Sequence, residues 1–115
     1  MHIVLKRVYE PAIKTDGFRV LVDRLWPRGL AKAKAKIDLW DKDVAPTNEL
    51  RHWFNHEEEK WDEFQKRYRA ELRGNSQAVD ALKQAMHEHE VVTLLFGARD
   101  EEHNQAVVLR KFLEE

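Results

Sequence analysis

Two short polar segments of this chain combine the side chains that bind anions and transfer protons: arginine, aspartate, histidine and asparagine. Residues 23–29 read Asp-Arg-Leu-Trp-Pro-Arg-Gly, and residues 97–104 read Gly-Ala-Arg-Asp-Glu-Glu-His-Asn. Each segment follows a strongly apolar run. In open α/β sheets, ligands bind outside the carboxyl ends of the strands. If the two apolar runs are neighbouring parallel strands, both segments lie at one edge of the sheet, and we expect a single site there.

Arginine is the residue type in these segments that indicates an anionic ligand. Its guanidinium is always charged and presents paired donors to a phosphate or carboxylate. Arg24 and Arg28 are the first candidates, beside Gly29, where the backbone can turn sharply or approach a ligand. Arg51 is a further candidate. The alternative for Arg24 is a structural ion pair with Asp23 or Asp38. The Pro-Arg-Gly triplet is not a phosphate loop, because it has one glycine and no following Lys-Ser/Thr.

Acid–base chemistry at this edge would fall to three side chains. His103 could act as a general acid or base, with Asp100 or Asp23 adjusting its proton affinity. The alternative for His103 is a residue of the first helical turn that bonds to its own cap. Asn104 lies beside the same expected helix start and is a candidate ligand contact.

Tryptophans are numerous for a chain of this length. Trp26, Trp40 and Trp53 lie in or beside predicted loops, where they could wall a pocket or stack on a flat ring. The alternative is a second small core beneath the loop at residues 30–46, which we favour for at least two of the three.

The sequence does not indicate a metal site. His52 and His56 have the spacing of four that metal-binding helices use, but the glutamate of the zinc-protease motif is missing. Asn55 is also expected to end the helix between them. The chain has no cysteine, so thiolate chemistry and disulfides are excluded. No cofactor is indicated.

The apolar periodicity predicts an α/β fold resembling a small three-layer sandwich, with a short mixed or parallel sheet of three or four strands and about four helices. The predicted strands are residues 3–8, 18–25, 37–40 and 91–96. Residues 30–36 are predicted to be a basic loop or short helix. A short helix through Phe54 is expected after a cap at Thr47, and further helices are expected after caps at Asn55, Ser76 and Asp100. Residues 9–17 are short for a helical crossover, so the first two strands either pair antiparallel or are joined by an irregular loop.

Length and charge indicate one domain spanning residues 1–115. The net charge is −1 and 36% of the residues are charged, which favours solvated helix faces over a general basic field. Lys32, Lys34 and Lys36 form a local basic row, too small to make nucleic acid a favoured partner. We expect no signal peptide and no membrane span, and a cytoplasmic location.

The whole pattern resembles the YeaO-like proteins of the bacterial family called domain of unknown function 488. The resemblance rests on residues 20–29, with their Asp-Arg-Leu-Trp-Pro-Arg-Gly string, and on residues 38–40, 45–46, 50–56, 61–64, 93–96 and 100–106. It implies a small cytoplasmic α/β bacterial protein and little about activity. Longer relatives carry cysteines where Phe96 and Glu102 stand here, so cysteine chemistry does not carry over.

Two hypotheses of function follow from the residues. The first is a protein that binds an anionic small molecule or nucleotide at the carboxyl ends of the strands, with catalysis left open. The alternative is a non-catalytic module that binds a protein or nucleic acid, supported by the lysine row, the loop tryptophans and the lack of a recognised catalytic triad. Oligomeric state is left open.

Overall fold

A four-stranded parallel sheet organises the chain. The computed structural model describes residues 1–115 and orders the strands β1-β4-β2-β3. The strands are β1 (His2–Arg7), β2 (Phe18–Leu21), β3 (Leu39–Trp40) and β4 (Val91–Phe96). The central strand β4 pairs in parallel with both β1 and β2, and β2 pairs in parallel with β3. The carboxyl ends of all four strands therefore lie at the same edge.

Five α-helices accompany the sheet, and with it they confirm the predicted α/β class. They are α1 (Lys32–Ala35), α2 (Asn48–Phe54), α3 (Trp61–Arg73), α4 (Ser76–Met86) and α5 (Gln105–Glu114). Short 3-10 turns occupy Lys14–Asp16 and Glu58–Lys60. A bilayer-crossing helix is absent, because none of these is both long and apolar enough.

The two faces of the sheet are covered differently. Val92, Leu94 and Phe96 of β4 belong to the main core, which helices α2 to α5 complete. On the opposite face, Leu21 and Leu95 pack with Val8 in a small core under a loop. The partly buried side chains that cover this small core are Trp26, Leu30, Ile37 and Trp40. Both faces are thus shielded, as the continuous apolar runs indicated, but the second cover is a loop with one short helix.

Strand β2 ends at Leu21, four residues earlier than predicted. Val22 still donates its backbone N–H to Leu95 O at 3.0 Å, and there the chain leaves the sheet. Leu25 is 57% exposed, so the apolar run extends beyond the strand. The chain then turns at Pro27, which cannot donate to a ladder.

Strands β1 and β2 do not pair, because β4 lies between them. Antiparallel pairing of the two is therefore wrong, and the irregular loop is correct. This loop lies tightly on the amino end of β4. At Gly17 (φ +65°) a Cβ atom would lie 2.3 Å from the Val91 carbonyl oxygen, and the Thr93 hydroxyl donates to Asp16 O at 2.6 Å.

Helix caps agree with the sequence in part. Thr47 caps α2 as predicted, since its side chain accepts a backbone hydrogen bond from the first turn. The other three predicted caps are wrong. Asn55 ends α2 in the left-handed region (φ +46°), and Ser76 is the first residue of α4. Asp100 caps a separate turn, whereas Asn104 caps α5 by accepting two backbone hydrogen bonds.

A buried ion cluster fixes the amino edge of the sheet. The Asp16 carboxylate accepts hydrogen bonds from the guanidinium of Arg19 and from Lys6 Nζ at 3.0 Å. Arg19 also donates to the carbonyls of Ala35 and Lys36. Burial alone would raise the pKa of Asp16, but hydrogen bonds from the backbone and from these two cations outweigh it and hold the pKa below its usual range.

Candidate functional site

A cleft of about 460 Å³ opens at the carboxyl edge of the sheet. We call it the carboxyl-edge cleft; its lining residues are 9, 23–28, 46, 51, 52, 54–56, 64, 97, 98, 104 and 105. The two polar segments meet here, as predicted from the sequence. Gly97 N–H donates to Asp23 Oδ2 at 3.0 Å, and the Gln105 side chain donates to Asp23 Oδ1.

Asp23 is a partly buried carboxyl group with no cation in contact. Burial raises its pKa to about 6, against the opposing effects of the Gly97 and Gln105 hydrogen bonds and of the more distant Arg51 charge. The backbone carbonyl of Asp23 accepts from Trp40 Nε1 at 2.8 Å. Hydrogen bonds therefore fix both the main chain and the side chain of Asp23. Its surroundings disfavour the negatively charged form of the carboxyl group.

Two arginines hold the walls of the cleft in place. Arg24 donates to the carbonyls of Pro46 at 2.8 Å and Ala45 at 3.0 Å, which ties down the segment before α2. Arg7 donates to the carbonyl of Ala98 at 2.9 Å, and so fixes the segment after β4. Arg24 is thus engaged with backbone rather than with an aspartate.

Two other arginines have donors available for a ligand. Arg28 is exposed, and its guanidinium makes no hydrogen bond within the protein, while its backbone carbonyl accepts from the Tyr9 hydroxyl at 2.7 Å. Arg51 uses one terminal nitrogen to bind Asn48 Oδ1 at 2.9 Å, and its charge acts on Asp23. Both side chains line the cleft.

The cleft is positively charged although the chain is slightly acidic. Its lining contains three arginines and two histidines but only one acidic residue, Asp23. The chain as a whole has a net charge of −1. Positive groups concentrated in a concave surface raise the local concentration of anions.

The three candidate tryptophans separate into different places. Trp26 lines the cleft and packs edge-on against Trp40, with ring centroids 5.3 Å apart. Trp40 lies behind it, and both contribute to the small core, as favoured from the sequence. Trp53 lies outside the cleft, where the guanidinium of Arg67 stacks 4.1 Å from its ring centroid.

Of the three acid–base candidates, only Asp23 lines the cleft. His103 Nδ1 lies 2.8 Å from Asp100 Oδ2, and its ring packs edge-on against Trp61 at 5.2 Å. The hydrogen bond that His103 donates to the Asp100 carboxylate raises the pKa of His103 above its usual range. The Asp100–His103 pair is not among the lining residues.

Gly29 and Asn104 have structural roles. Gly29 has φ +76°, which glycine tolerates best, and it lies outside the lining. Asn104 lines the cleft, but its side chain is occupied in capping α5 and in donating to Asp100 O at 2.9 Å.

Sequence reasoning did not place Gln105, His52 or His56 in the site. The spacing of the two histidines is one that metal-binding helices use, but no group of three or more potential ligands comes together. Asn55 and His56 both have positive φ, which non-glycine residues rarely adopt. Such backbone conformations are concentrated at functional sites. The sequence does not contain this signal, because the φ angles are known only from the structure.

A second, shallower depression of about 580 Å³ lies at the amino edge of the sheet. Its charged lining residues are Lys14, Asp38 and Glu90, with His89 stacked on Phe18 at 4.2 Å. Acidic groups outnumber the single lysine, so this depression lacks the positive character of the carboxyl-edge cleft.

Comparison with known proteins finds relatives along nearly the whole chain. The family model described as the inactive DUF488-N3 subclade matches residues 2–115. The uncharacterized protein YeaO of Escherichia coli (strain K12) is 42% identical over 113 residues, which cover 98% of this chain and 97% of that protein. The uncharacterized protein Rv3073c of Mycobacterium tuberculosis (strain ATCC 25618 / H37Rv) is 41% identical over 107 residues, 93% of this chain and 89% of that protein. No solved structure matches.

Proposed function

The chain belongs to the DUF488 family, in the subclade described as inactive, and we propose that it binds an anionic small molecule or nucleotide in the carboxyl-edge cleft without converting it. The observation that carries this proposal is the excess of positive side chains in the cleft. Three arginine side chains line it beside one carboxyl group, and two histidines contribute further ring nitrogens.

The available donors support an anionic group as the part of the ligand that is recognised. Arg28 has a whole guanidinium free, and Arg51 keeps donors beyond the one bound to Asn48. Arg24 retains its Nη1 group after binding two carbonyls. Guanidinium groups bind phosphate and carboxylate in paired hydrogen bonds.

The size and walls of the cleft support a ligand that also has an apolar or ring-shaped part. A volume of about 460 Å³ lies within the range of small-molecule sites. Trp26 contributes partly exposed aromatic surface, and the exposed ring of Tyr9 also lines the cleft. A nucleotide combines these two requirements, since it has a phosphate and a flat base.

Acid–base catalysis is the second candidate function, favoured by a single observation at Asp23. A carboxyl group with a pKa of about 6 can both accept and donate protons near neutral pH. Against it, the Asp100–His103 pair lies outside the cleft lining and the family description is of an inactive subclade. Conversion of a bound ligand, followed by NMR and lost in Asp23→Asn, would establish catalysis over simple binding.

The test of binding is a thermal-shift screen with phosphate, nucleotides, sugar phosphates and small carboxylates. A ligand at 100 times its dissociation constant stabilises by about 2.7 kcal/mol, which is several degrees for a domain of this size. Arg28→Ala should leave the unliganded melting temperature within about a degree of wild type, because the side chain is exposed. It should weaken binding by about tenfold or more, because a charged hydrogen-bond partner is lost.

The matched control is Arg73→Ala, which removes an exposed arginine from the end of α3, outside the cleft lining. It should bind as wild type does. A ligand whose shift is equally reduced in both variants would be responding to general charge and not to the cleft. If no anion stabilises wild type, the proposal is wrong, and the non-catalytic protein- or nucleic-acid-binding module becomes the better hypothesis.

A further inference from the structure

The carboxyl-edge cleft has a positively charged lining that contains a single carboxyl group. Asp23 is the only acidic side chain in the lining, and it is partly buried there. Each of its oxygens accepts one hydrogen bond, from Gly97 N–H and from the Gln105 amide, and neither contacts a cation. An anion bound in this cleft would share a poorly solvated space with that carboxylate.

The polar and charged groups around Asp23 determine how much its negative charge weakens the binding of an anion. The polar and titratable side chains that line the cleft with Asp23 are Tyr9, Arg24, Arg28, Arg51, His52, Asn55, His56, Asn104 and Gln105. The arginines stay charged throughout the range in which proteins are folded. Asp23 is thus the group of this cleft whose change of charge the proposal concerns, and the two histidines need a separate control because histidine is a residue type that takes up protons near neutral pH.

We propose that the cleft binds its anion together with a proton from solvent, which converts the Asp23 carboxylate to the carboxylic acid. The proposal rests on the anion-binding function proposed above. Protonation removes the one negative charge in the lining and leaves both existing hydrogen bonds possible, because a carboxylic acid still accepts through its second oxygen and through its hydroxyl. Binding is therefore favoured as the pH falls.

Burial in this position already favours the neutral acid, since the pKa of Asp23 is raised to about 6. A nearby anion adds like-charge repulsion, which raises the pKa of a carboxyl group further. Thermodynamic linkage then requires that the anion bind more tightly to the protonated protein by the same factor.

The experiment is isothermal titration with sulfate, which stays a dianion from about pH 5 to pH 8, so that the probe itself does not take up protons. Titration in buffers of different ionisation enthalpy counts the protons bound with each sulfate. In wild type we expect the dissociation constant to rise by up to about tenfold per pH unit above about pH 6, with proton uptake approaching one. In Asp23→Asn the rise should flatten and most of the uptake should disappear.

The histidines require their own variant, because histidine is the other residue type in the lining that can take up a proton in this pH range. In the double variant His52→Gln/His56→Gln, Asp23 remains, and we expect sulfate to bind more weakly but still with proton uptake. If Asp23→Asn does not fold, this double variant still shows whether Asp23 or the histidines take up the proton. Loss of proton uptake in the double variant would overturn the proposal.

The remaining outcomes distinguish a failure of proton coupling at Asp23 from a failure of the proposed anion binding. Sulfate binding with the same pH dependence in wild type and Asp23→Asn would overturn proton coupling but leave the anion site intact. Binding that is weaker at every pH in Asp23→Asn would show that Asp23 only positions the cleft, and would also overturn it. Absence of sulfate binding to wild type throughout the pH range would overturn both.

Discussion

Strand β2 has an aspartate two residues beyond each of its ends, and the two are placed in opposite electrostatic environments. Asp16, at the amino edge, contacts the charged groups of Arg19 and Lys6. Asp23, at the carboxyl edge, contacts only a backbone N–H and the side-chain amide of Gln105. The pKa of Asp16 is accordingly lowered, whereas that of Asp23 is raised to about 6.

This contrast distinguishes a structural polar cluster from one that is open to a ligand. Around Asp16, each charge has a partner and the remaining donors reach carbonyls, so the cluster is closed to ligands. Around Asp23, positive charges line the cleft without contacting the carboxylate. A buried carboxylate left without a contacting cation costs stability, and perturbed groups of this kind are concentrated at functional sites.

Asp16→Asn should have the largest effect on stability, a loss of about 3–5 kcal/mol, because it leaves Arg19 and Lys6 as buried charges without a partner. Urea unfolding near neutral pH measures it. The loss should shrink below about pH 4, because a carboxyl group with a lowered pKa contributes its stability only while ionised. Glu63→Gln, which breaks an exposed pair with Arg67, is the control and should cost under about 1 kcal/mol. Equal effects of the two substitutions would contradict the closed-cluster interpretation.

Gly17→Ala tests the backbone beside Asp16, with an expected loss of about 3 kcal/mol. The new methyl group would lie 2.3 Å from the Val91 carbonyl oxygen, at φ +65°. Gly29→Ala has similar strain (φ +76°) but no atom within 4 Å, so it should cost only about 1 kcal/mol. The difference between the melting temperatures of the two variants measures the effect of the clash. Equal melting temperatures would mean that Gly17 does not pack closely against Val91.

Asp23→Asn should act in the opposite direction to Asp16→Asn. Since the pKa of Asp23 is raised in the folded state, its contribution to the free energy of unfolding is fully present below about pH 4 and is lost as the pH rises through about 6. The variant should therefore be more stable than wild type by on the order of 2 kcal/mol at pH 8 and nearly equal to it at pH 4. Denaturant unfolding at both values checks this. A variant less stable at pH 8 would mean that the carboxylate is as well paired as Asp16.

Gly97→Ala should have the smallest effect on stability, a loss of about 1 kcal/mol. The methyl group would lie 2.8 Å from Asp23 Oδ2, and a side chain can move aside where a carbonyl cannot. The larger consequence should be a change in the proton affinity of Asp23, measurable by NMR titration. Gly74→Ala, whose methyl group finds only ordinary contacts, should leave that titration unchanged. An unchanged Asp23 titration in Gly97→Ala would show that the Gly97 contact does not govern its charge.

Local patterns in the sequence were sufficient for much of the fold. The last strand was predicted with its observed bounds, Val91–Phe96, because a short apolar run between turn signals needs only its own residues to be recognised. Thr47 was recognised as a cap for the same reason, since a cap acts on the next turn. The family also follows from the sequence, because its motifs run through nearly the whole chain.

The order of the strands and the roles of the arginines were not available from the sequence. Arg24 contacts carbonyls 21 and 22 residues away, and Arg7 contacts carbonyls 90 and 91 residues away. Spacing along the chain contains no information on such contacts. For that reason it could not distinguish Arg24, which is engaged with backbone, from Arg28, which is free.

Apolar periodicity and turn residues act over a few positions, so the sequence alone establishes the family and the α/β class and predicts polar segments after two buried strands. Which strands are neighbours, and which of those polar groups are free for a ligand, depends on contacts that only tertiary packing makes. Burial sets the cost of an ionised carboxyl group, and the burial of Asp23 comes from packing between segments more than 70 residues apart. The same residue type two positions beyond the other end of β2 meets two cations and becomes part of the scaffold.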